Sequence, residues 1–152
     1  MFNIFEFKEE INSFYKDLHQ VQDARTNVRL AADKWSLREI IGHLIDSASN
    51  NHQRFVRLQF GNLIDFPAYD GEDWIKAQRY IDMKWQVLVE LWYNYNCLLL
   101  NTIEITEVST YENFWIKGEK AITLEQLIIE YFQHLQLHID HFKKRQEELL
   151  NL

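Results

Sequence analysis

Two helix-start signals limit the folds open to this chain more than any other feature. In a capping box, a hydroxyl side chain accepts a hydrogen bond from the backbone amide three residues later, and the side chain there reaches back to the first amide. Residues 36–39 (Ser-Leu-Arg-Glu) and 123–126 (Thr-Leu-Glu-Gln) both have this pattern. The apolar residues that follow recur at three- and four-residue intervals, which predicts helices over residues 37 to about 59 and 124 to about 150.

Two more stretches with helical spacing complete an all-α prediction. Residues 2–22 predict a first helix, and residues 72–103 predict another that breaks or kinks near Asp82. Because one Pro and four Gly are all that punctuate 152 residues, few turns are expected. We therefore predict a single domain over residues 1–152, folded as a four-helix bundle. Connections are expected at residues 23–34, 61–71 and 104–121, the last one irregular with a turn at residues 117–119.

The net charge and the distribution of apolar residues argue against several classes of function. The formal net charge is -7, with 23 acidic against 16 basic side chains. A chain of this sign is repelled by phosphate backbones, so we expect no nucleic-acid partner. No apolar run approaches the roughly 20 residues needed to span a bilayer, and the first ten residues lack the cationic region of a signal peptide. We expect a cytoplasmic protein with no membrane partner.

Three of the six histidines are candidate metal ligands. His134 and His138 are four residues apart in the last predicted helix, which places them about 40° apart along one edge of its apolar stripe. His43 lies off the edge of the apolar stripe of the second helix. If these two edges face each other, three imidazoles converge, and three such ligands with an open position are typical of catalytic zinc sites. The same edges also suit solvated amphipathic side chains, and His141, one turn beyond His138, is a competing ligand.

Other polar residues lie on the His43 side of the second predicted helix. Asp46, one turn after His43, is a candidate catalytic residue that would orient a ligand imidazole. Arg54 and Arg57 are candidates for pairing with an anionic substrate, although such arginines more often pair with surface acids. Cys97 lies among apolar residues, so we predict a small buried side chain rather than a nucleophile.

Two blocks of sequence resemble motifs of a known superfamily. Residues 34–47 (KWSLREIIGHLIDS) resemble the second-helix motif of the DinB-like (YfiT-like) superfamily, and residues 131–139 (YFQHLQLHI) resemble its C-terminal motif. The resemblance implies a four-helix bundle that holds one divalent metal ion, zinc or nickel, on His43, His134 and His138. His141 falls outside the matched triad.

The resemblance also implies a metal-dependent enzyme. The superfamily is similar in fold to transferases that use bacillithiol, mycothiol or glutathione, so the leading expectation is a thiol S-transferase. Its metal would hold a low-molecular-weight thiol as thiolate for attack on a small electrophilic substrate. A hydrolase that activates a water at the same open position is the alternative. A non-catalytic, stress-related binding module is the third possibility. A homodimer is plausible by resemblance.

Overall fold

The computed structural model describes residues 2–152. Within this part of the chain it has five α-helices and one antiparallel hairpin of two strands. The elements in chain order are α1 (Ile4–His19), α2 (Leu37–Arg57), α3 (Gly71–Gln78), α4 (Trp85–Glu104), β1 (Phe114–Lys117), β2 (Lys120–Thr123) and α5 (Leu124–Leu150). None of these helices is both long enough and apolar enough to cross a membrane.

The four long helices form the predicted bundle, and α3 is an additional short helix beside it. Helix α2 packs against both α4 and α5, and α1 packs against α4. Phe14 of α1 lies edge-on to Trp92 of α4 and to Phe142 of α5, with ring centroids 5.1 and 5.3 Å apart. These buried aromatic rings join three helices in one core, as edge-to-face packing favours. The all-α four-helix bundle is thus confirmed.

Both capping boxes form as the sequence predicts. The Ser36 hydroxyl accepts a hydrogen bond from the amide of Glu39, and the Glu39 carboxylate accepts one from the amide of Ser36. Thr123 and Gln126 make the same pair of bonds. The two helices start at Leu37 and Leu124 as predicted, because the boxes satisfy amides that would otherwise lack a partner.

The third predicted helix breaks close to the expected point, Asp82. Helix α3 ends at Gln78, and Arg79 has φ 51, in the left-handed region that ends many helices. A single turn of 3₁₀-helix, Tyr80–Asp82, leads into α4. The predicted helical run is therefore two helices joined by this turn.

The segment expected to be irregular contains the β-hairpin. Gly118, with φ 63, begins the two-residue loop between Lys117 and Lys120, a position that favours glycine in a tight hairpin. Leu63 pairs with the outer edge of β1: its amide donates to Phe114 O, and its carbonyl accepts from Ile116 N, both at 2.9 Å. The hairpin thus holds the connection between α2 and α3 in place. Its four-residue strands are too short to give a clear alternating pattern in the sequence.

A slot on α2 anchors the turn between α3 and α4. The Tyr80 ring lies against the backbone of Gly42, so a Cβ atom at Gly42 would lie 2.1 Å from Tyr80 Cδ2. One helical turn further on, Asp46 Oδ1 accepts a 2.5 Å hydrogen bond from the Tyr80 hydroxyl. The absence of a side chain at Gly42 and the carboxylate of Asp46 together determine where Tyr80 packs.

Replacing Gly42 with alanine should destabilise the protein by about 1–3 kcal/mol, because the new methyl group overpacks the Tyr80 slot. Urea denaturation measures the change. In a Tyr80→Leu background the same substitution should cost less, since the two residues are in contact. If Gly42→Ala instead stabilised the protein by about 0.5–1 kcal/mol, as in an open helix, the slot would not have this role.

Candidate metal centre

The structure brings the three predicted histidines together between α2 and α5. His43 Nε2 lies 3.1 Å from His134 Nε2. The ring of His138 has its centroid 4.5 Å from those of both His43 and His134. One nitrogen of each ring can be chosen so that all three lie within 4.8 Å of one another. The facing edges of the two helices therefore place three donor atoms around one point.

The geometry of this cluster suits a divalent metal ion. Two imidazole nitrogens bound to one tetrahedral zinc at about 2.0–2.1 Å are about 3.3–3.4 Å apart, close to the 3.1 Å between His43 and His134. The Nδ1 atoms of His43 and His138 are buried and have no hydrogen-bond partner among residues 2–152. Histidines that serve only the core normally satisfy their buried nitrogens with protein groups. The donor set, in which Nε2 of His43 and Nε2 of His134 face each other, thus fits a bound cation.

Burial keeps the three imidazoles in the form that binds metals. Desolvation is the main cause that lowers the pKa of His43 to about 4, and His134 and His141 lower it further. Burial likewise lowers the pKa of His138 to about 3, with smaller contributions from His43, His134 and His141. The pKa of His134 is also lowered by burial. All three rings are therefore neutral at neutral pH, with lone pairs available for coordination.

Three neighbouring groups position the imidazole rings. Ser47 Oγ lies 3.4 Å from His134 Nδ1, on the opposite side of that ring from His43. The Trp35 ring packs against His43 at 4.8 Å and against His138 at 6.3 Å between centroids. Gly71, at the start of α3, lies so close to His43 that a Cβ atom there would be 3.1 Å from its Cε1. The cluster is enclosed by α3 on one side and by Trp35 on another.

Asp46, the predicted orienting residue, is buried one turn beyond His43. Its Oδ1 accepts hydrogen bonds from Tyr80 Oη and from Gln78 Nε2, the latter at 2.8 Å. Its Oδ2 is buried and has no partner among the described residues. Burial raises the pKa of Asp46, while the hydrogen bonds from Tyr80 and Gln78 oppose this rise. The carboxylate thus joins α2 to the end of α3 rather than bonding directly to one of the three rings.

A cavity of about 200 Å³ opens beside the cluster. Ser47 and His134 line the part nearest the three rings. The other walls include Arg54, Tyr69, Trp115, Lys117, Leu127 and Tyr131. Trp115 Nε1 donates a 2.8 Å hydrogen bond to the carbonyl oxygen of Phe66, which fixes the indole in the wall. A small molecule in this cavity would lie next to His134.

The remaining histidines and Cys97 lie outside the cluster. The ring of His141 is 5.8 Å from that of His138, and it also contacts Trp35. His52 Nδ1 is 3.0 Å from the Tyr95 hydroxyl, and His19 lies 3.5 Å from a carboxylate oxygen of Glu90. Cys97 is exposed on α4, so the prediction that it is buried was wrong. Neighbouring residues of a helix point in different directions, so apolar residues next to Cys97 in the sequence can be buried while Cys97 itself is exposed.

Comparison with known proteins identifies the family. A family model of the DinB superfamily matches residues 6–142. The chain belongs to the DinB superfamily. The solved structure of YfiT from Bacillus subtilis, described as a probable metal-dependent hydrolase with an unusual four-helix bundle topology, is similar with a TM-score of 0.83. The two sequences are 17% identical, and the match covers 96% of this chain and 85% of YfiT. No curated protein matches this chain by sequence.

Several residues around the candidate centre of this DinB-superfamily chain were not predicted as part of it. Ser47 is four residues after His43, so helical phase alone places it on the same side of α2, but this position does not show that it faces His134. From the sequence, Trp35 is only the residue before the helix cap Ser36, and no pattern indicates that its ring contacts His43 and His138. Tyr69 and Trp115 come from segments without helical periodicity, and only the folded chain brings them to the cavity.

Replacing His138 with alanine should remove one metal ligand. Metal-free protein should take up one zinc ion per chain, and the variant should bind it at least about 100-fold more weakly, since loss of an outer partner alone costs about 10- to 100-fold. Isothermal titration with zinc measures the affinity. His141→Ala is the matched control, because His141 is on the same helix outside the cluster, and it should retain binding. Full zinc occupancy of the His138 variant would contradict the ligand assignment.

Proposed function

We propose that this protein is a divalent-metal-dependent enzyme that transfers a low-molecular-weight thiol to a small electrophilic substrate. Its ligands would be His43, His134 and His138. The observation that carries the proposal is the convergence of three neutral imidazoles, one of which, His134, lines a cavity of small-molecule size. A divalent ion held there would supply Lewis-acid chemistry that favours the deprotonated form of a bound thiol.

The residues around the ligands have positioning roles in this proposal. The Ser47 hydroxyl, 3.4 Å from His134 Nδ1, would accept a hydrogen bond from Nδ1–H and so favour the tautomer whose Nε2 lone pair is directed toward His43. The half-buried Trp35 ring keeps water from the outer side of His43 and His138. Both contacts restrict the rings to orientations in which their nitrogens converge.

We propose that Asp46 is a positioning residue that acts on His43 through α3. Its carboxylate binds Gln78, the last residue of α3, and Tyr80 in the turn that follows. Gly71, at the other end of the same short helix, rests against the His43 ring. Holding α3 on α2 in this way would restrict the motion of His43.

The absence of a protein thiol at the cavity supports an external thiol as the nucleophile. Cys97 is exposed on α4 and does not line the cavity beside His134. The hydroxyls that do line it belong to Ser47, Tyr69 and Tyr131, and burial raises the pKa of both tyrosines. These hydroxyls stay protonated at neutral pH and are poor nucleophiles.

Hydrolysis is the second candidate function, and the likeness to YfiT favours it. YfiT is described as a probable metal-dependent hydrolase, and a water would use the same three ligands and the same cavity as a thiol. We also propose zinc or nickel as the native metal, since imidazole ligands suit both. A homodimer located in the cytoplasm remains part of the proposal.

Turnover of two electrophiles separates the two candidate reactions. Protein loaded with zinc or nickel should conjugate 1-chloro-2,4-dinitrobenzene only when a thiol such as glutathione, cysteine or coenzyme A is added. The same protein should release little 4-nitrophenol from 4-nitrophenyl acetate without thiol. His138→Ala should abolish conjugation and His141→Ala should retain it. Thiol-independent, metal-dependent ester cleavage would instead establish the hydrolase, and the lack of either reaction in metal-loaded protein would favour a non-catalytic binding module.

A further inference from the structure

Arg54 is a buried cation in the wall of the cavity beside the candidate metal centre. Only 4% of its surface is exposed. It lies eleven residues after His43 on α2, which corresponds to about 16 Å along the helix and a rotation of about 20°. The guanidinium carbon is 4.0 Å from the centre of the Trp115 ring. Arg54 and His134 therefore line different parts of one cavity.

The charge of Arg54 has no counter-ion in the part of the chain that the structure describes. No ion pair among residues 2–152 includes Arg54. Its Nη1 donates one long hydrogen bond, 3.4 Å, to Asn51 Oδ1, and its Nε is buried without a partner. Burial lowers the pKa of Arg54, yet a guanidinium stays protonated in proteins. Since buried charges are normally paired, the buried charge of Arg54, with its unpaired Nε and no acidic partner among residues 2–152, indicates an anionic ligand.

The other charged residues of the cavity define the charge of that ligand. Lys117, which is exposed, also lines the cavity, with Nζ 5.8 Å from the centre of the Trp115 ring. Glu130, which is exposed, supplies one negative charge. Among the side chains of the cavity, two cations against one carboxylate leave a single excess positive charge, which one carboxylate matches. The charge of a metal ion held by His134 would add to this count and would further favour an anion. A planar guanidinium, with its paired donors, binds a carboxylate especially well.

The size and the apolar lining of the cavity define the body of the ligand. Trp115, Tyr131 and Leu127 provide aromatic and aliphatic walls. A cavity of about 150 Å³ with apolar walls can hold benzene, so the volume of about 200 Å³ here suits a ring that carries one carboxylate. Flat apolar groups would pack against the indole and phenol rings.

We propose that the cavity binds the carboxylate of a small, monoanionic, largely apolar substrate through Arg54, with the rest of the molecule extending toward His134. The carboxylate subsite rests on the burial of Arg54, on its unpaired Nε and on the lack of an acidic partner for its charge among residues 2–152. That the far end of the molecule is the reacting end rests on the proposed function.

Benzoate is the probe for this subsite, and benzamide is its uncharged analogue of the same shape. In isothermal titration of metal-free protein at constant ionic strength, benzoate should bind about 10- to 100-fold more tightly than benzamide, the range expected for a charge-assisted hydrogen bond. Arg54→Met should remove this preference. Arg57→Met is the matched control, because Arg57 is exposed on the same helix and does not line the cavity. It should bind benzoate like the wild type.

Two further measurements distinguish failure of the subsite from failure of the protein or of the metal centre. The Arg54 variant should keep the wild-type circular dichroism spectrum and melt no earlier, because it loses an unpaired buried charge, and it should still bind one zinc ion. Equal affinity for benzoate and benzamide, or unchanged benzoate binding by Arg54→Met, would overturn the proposal. Tighter binding of inorganic phosphate than of benzoate would also overturn it. If the wild type does not bind zinc, the proposed function is refuted, while the proposal of the carboxylate subsite is unaffected.

Discussion

The packing of α2 against α5 determines where every residue of the candidate centre lies. Each helix must bury its apolar stripe in the bundle core, and this requirement sets its rotation about its own axis. His43 lies at the edge of one stripe, and His134 and His138 lie at the edge of the other. With both stripes buried, the two edges meet and the imidazole nitrogens come within 4.8 Å of one another. The core thus holds the histidines so close together that a positive charge on one ring would be repelled by a charge on the next, which adds to the effect of burial in lowering the pKa values of His43 and His138.

The connection between α2 and α4 encloses this centre. Tyr80 enters a slot that exists because residue 42 is glycine, and Asp46 binds its hydroxyl. The same anchoring places α3 so that Gly71 lies against His43. Leu63, bonded to the hairpin, holds the preceding part of the connection next to Trp115. In this region the residues that stabilise the fold also position the candidate centre. A change at Gly42 or Asp46 should therefore alter both the stability of the protein and its metal binding.

The sequence predicts the helical parts of the molecule well because their signals are local. The capping boxes at Ser36 and Thr123 locate two helix starts, and the i,i+4 spacing of His134 and His138 places two rings on one side of α5. The contact of Ser47 with His134 depends on which faces of α2 and α5 meet, which is a tertiary property. The cavity walls at Tyr69 and Trp115 come from segments whose conformation depends on pairing with distant residues. Local periodicity carries no information about such pairings. The prediction for Cys97 was wrong because it rested on the apolar residues next to it in the sequence and not on its position around the helix.

The three-histidine cluster beside one cavity and the buried guanidinium of Arg54 in the wall of that cavity are the two features on which we base the proposed site for a small anionic molecule. Membership in the DinB superfamily and the fold shared with YfiT are consistent with this description but do not select a reaction. The central claim is the metal centre itself. Crystals of the zinc-loaded protein, with anomalous scattering measured on both sides of the zinc absorption edge, test it most directly. We predict one anomalous peak about 2.0–2.1 Å from a nitrogen of each of His43, His134 and His138. A peak located elsewhere, or bound to His141 in place of one of the three, would contradict the account.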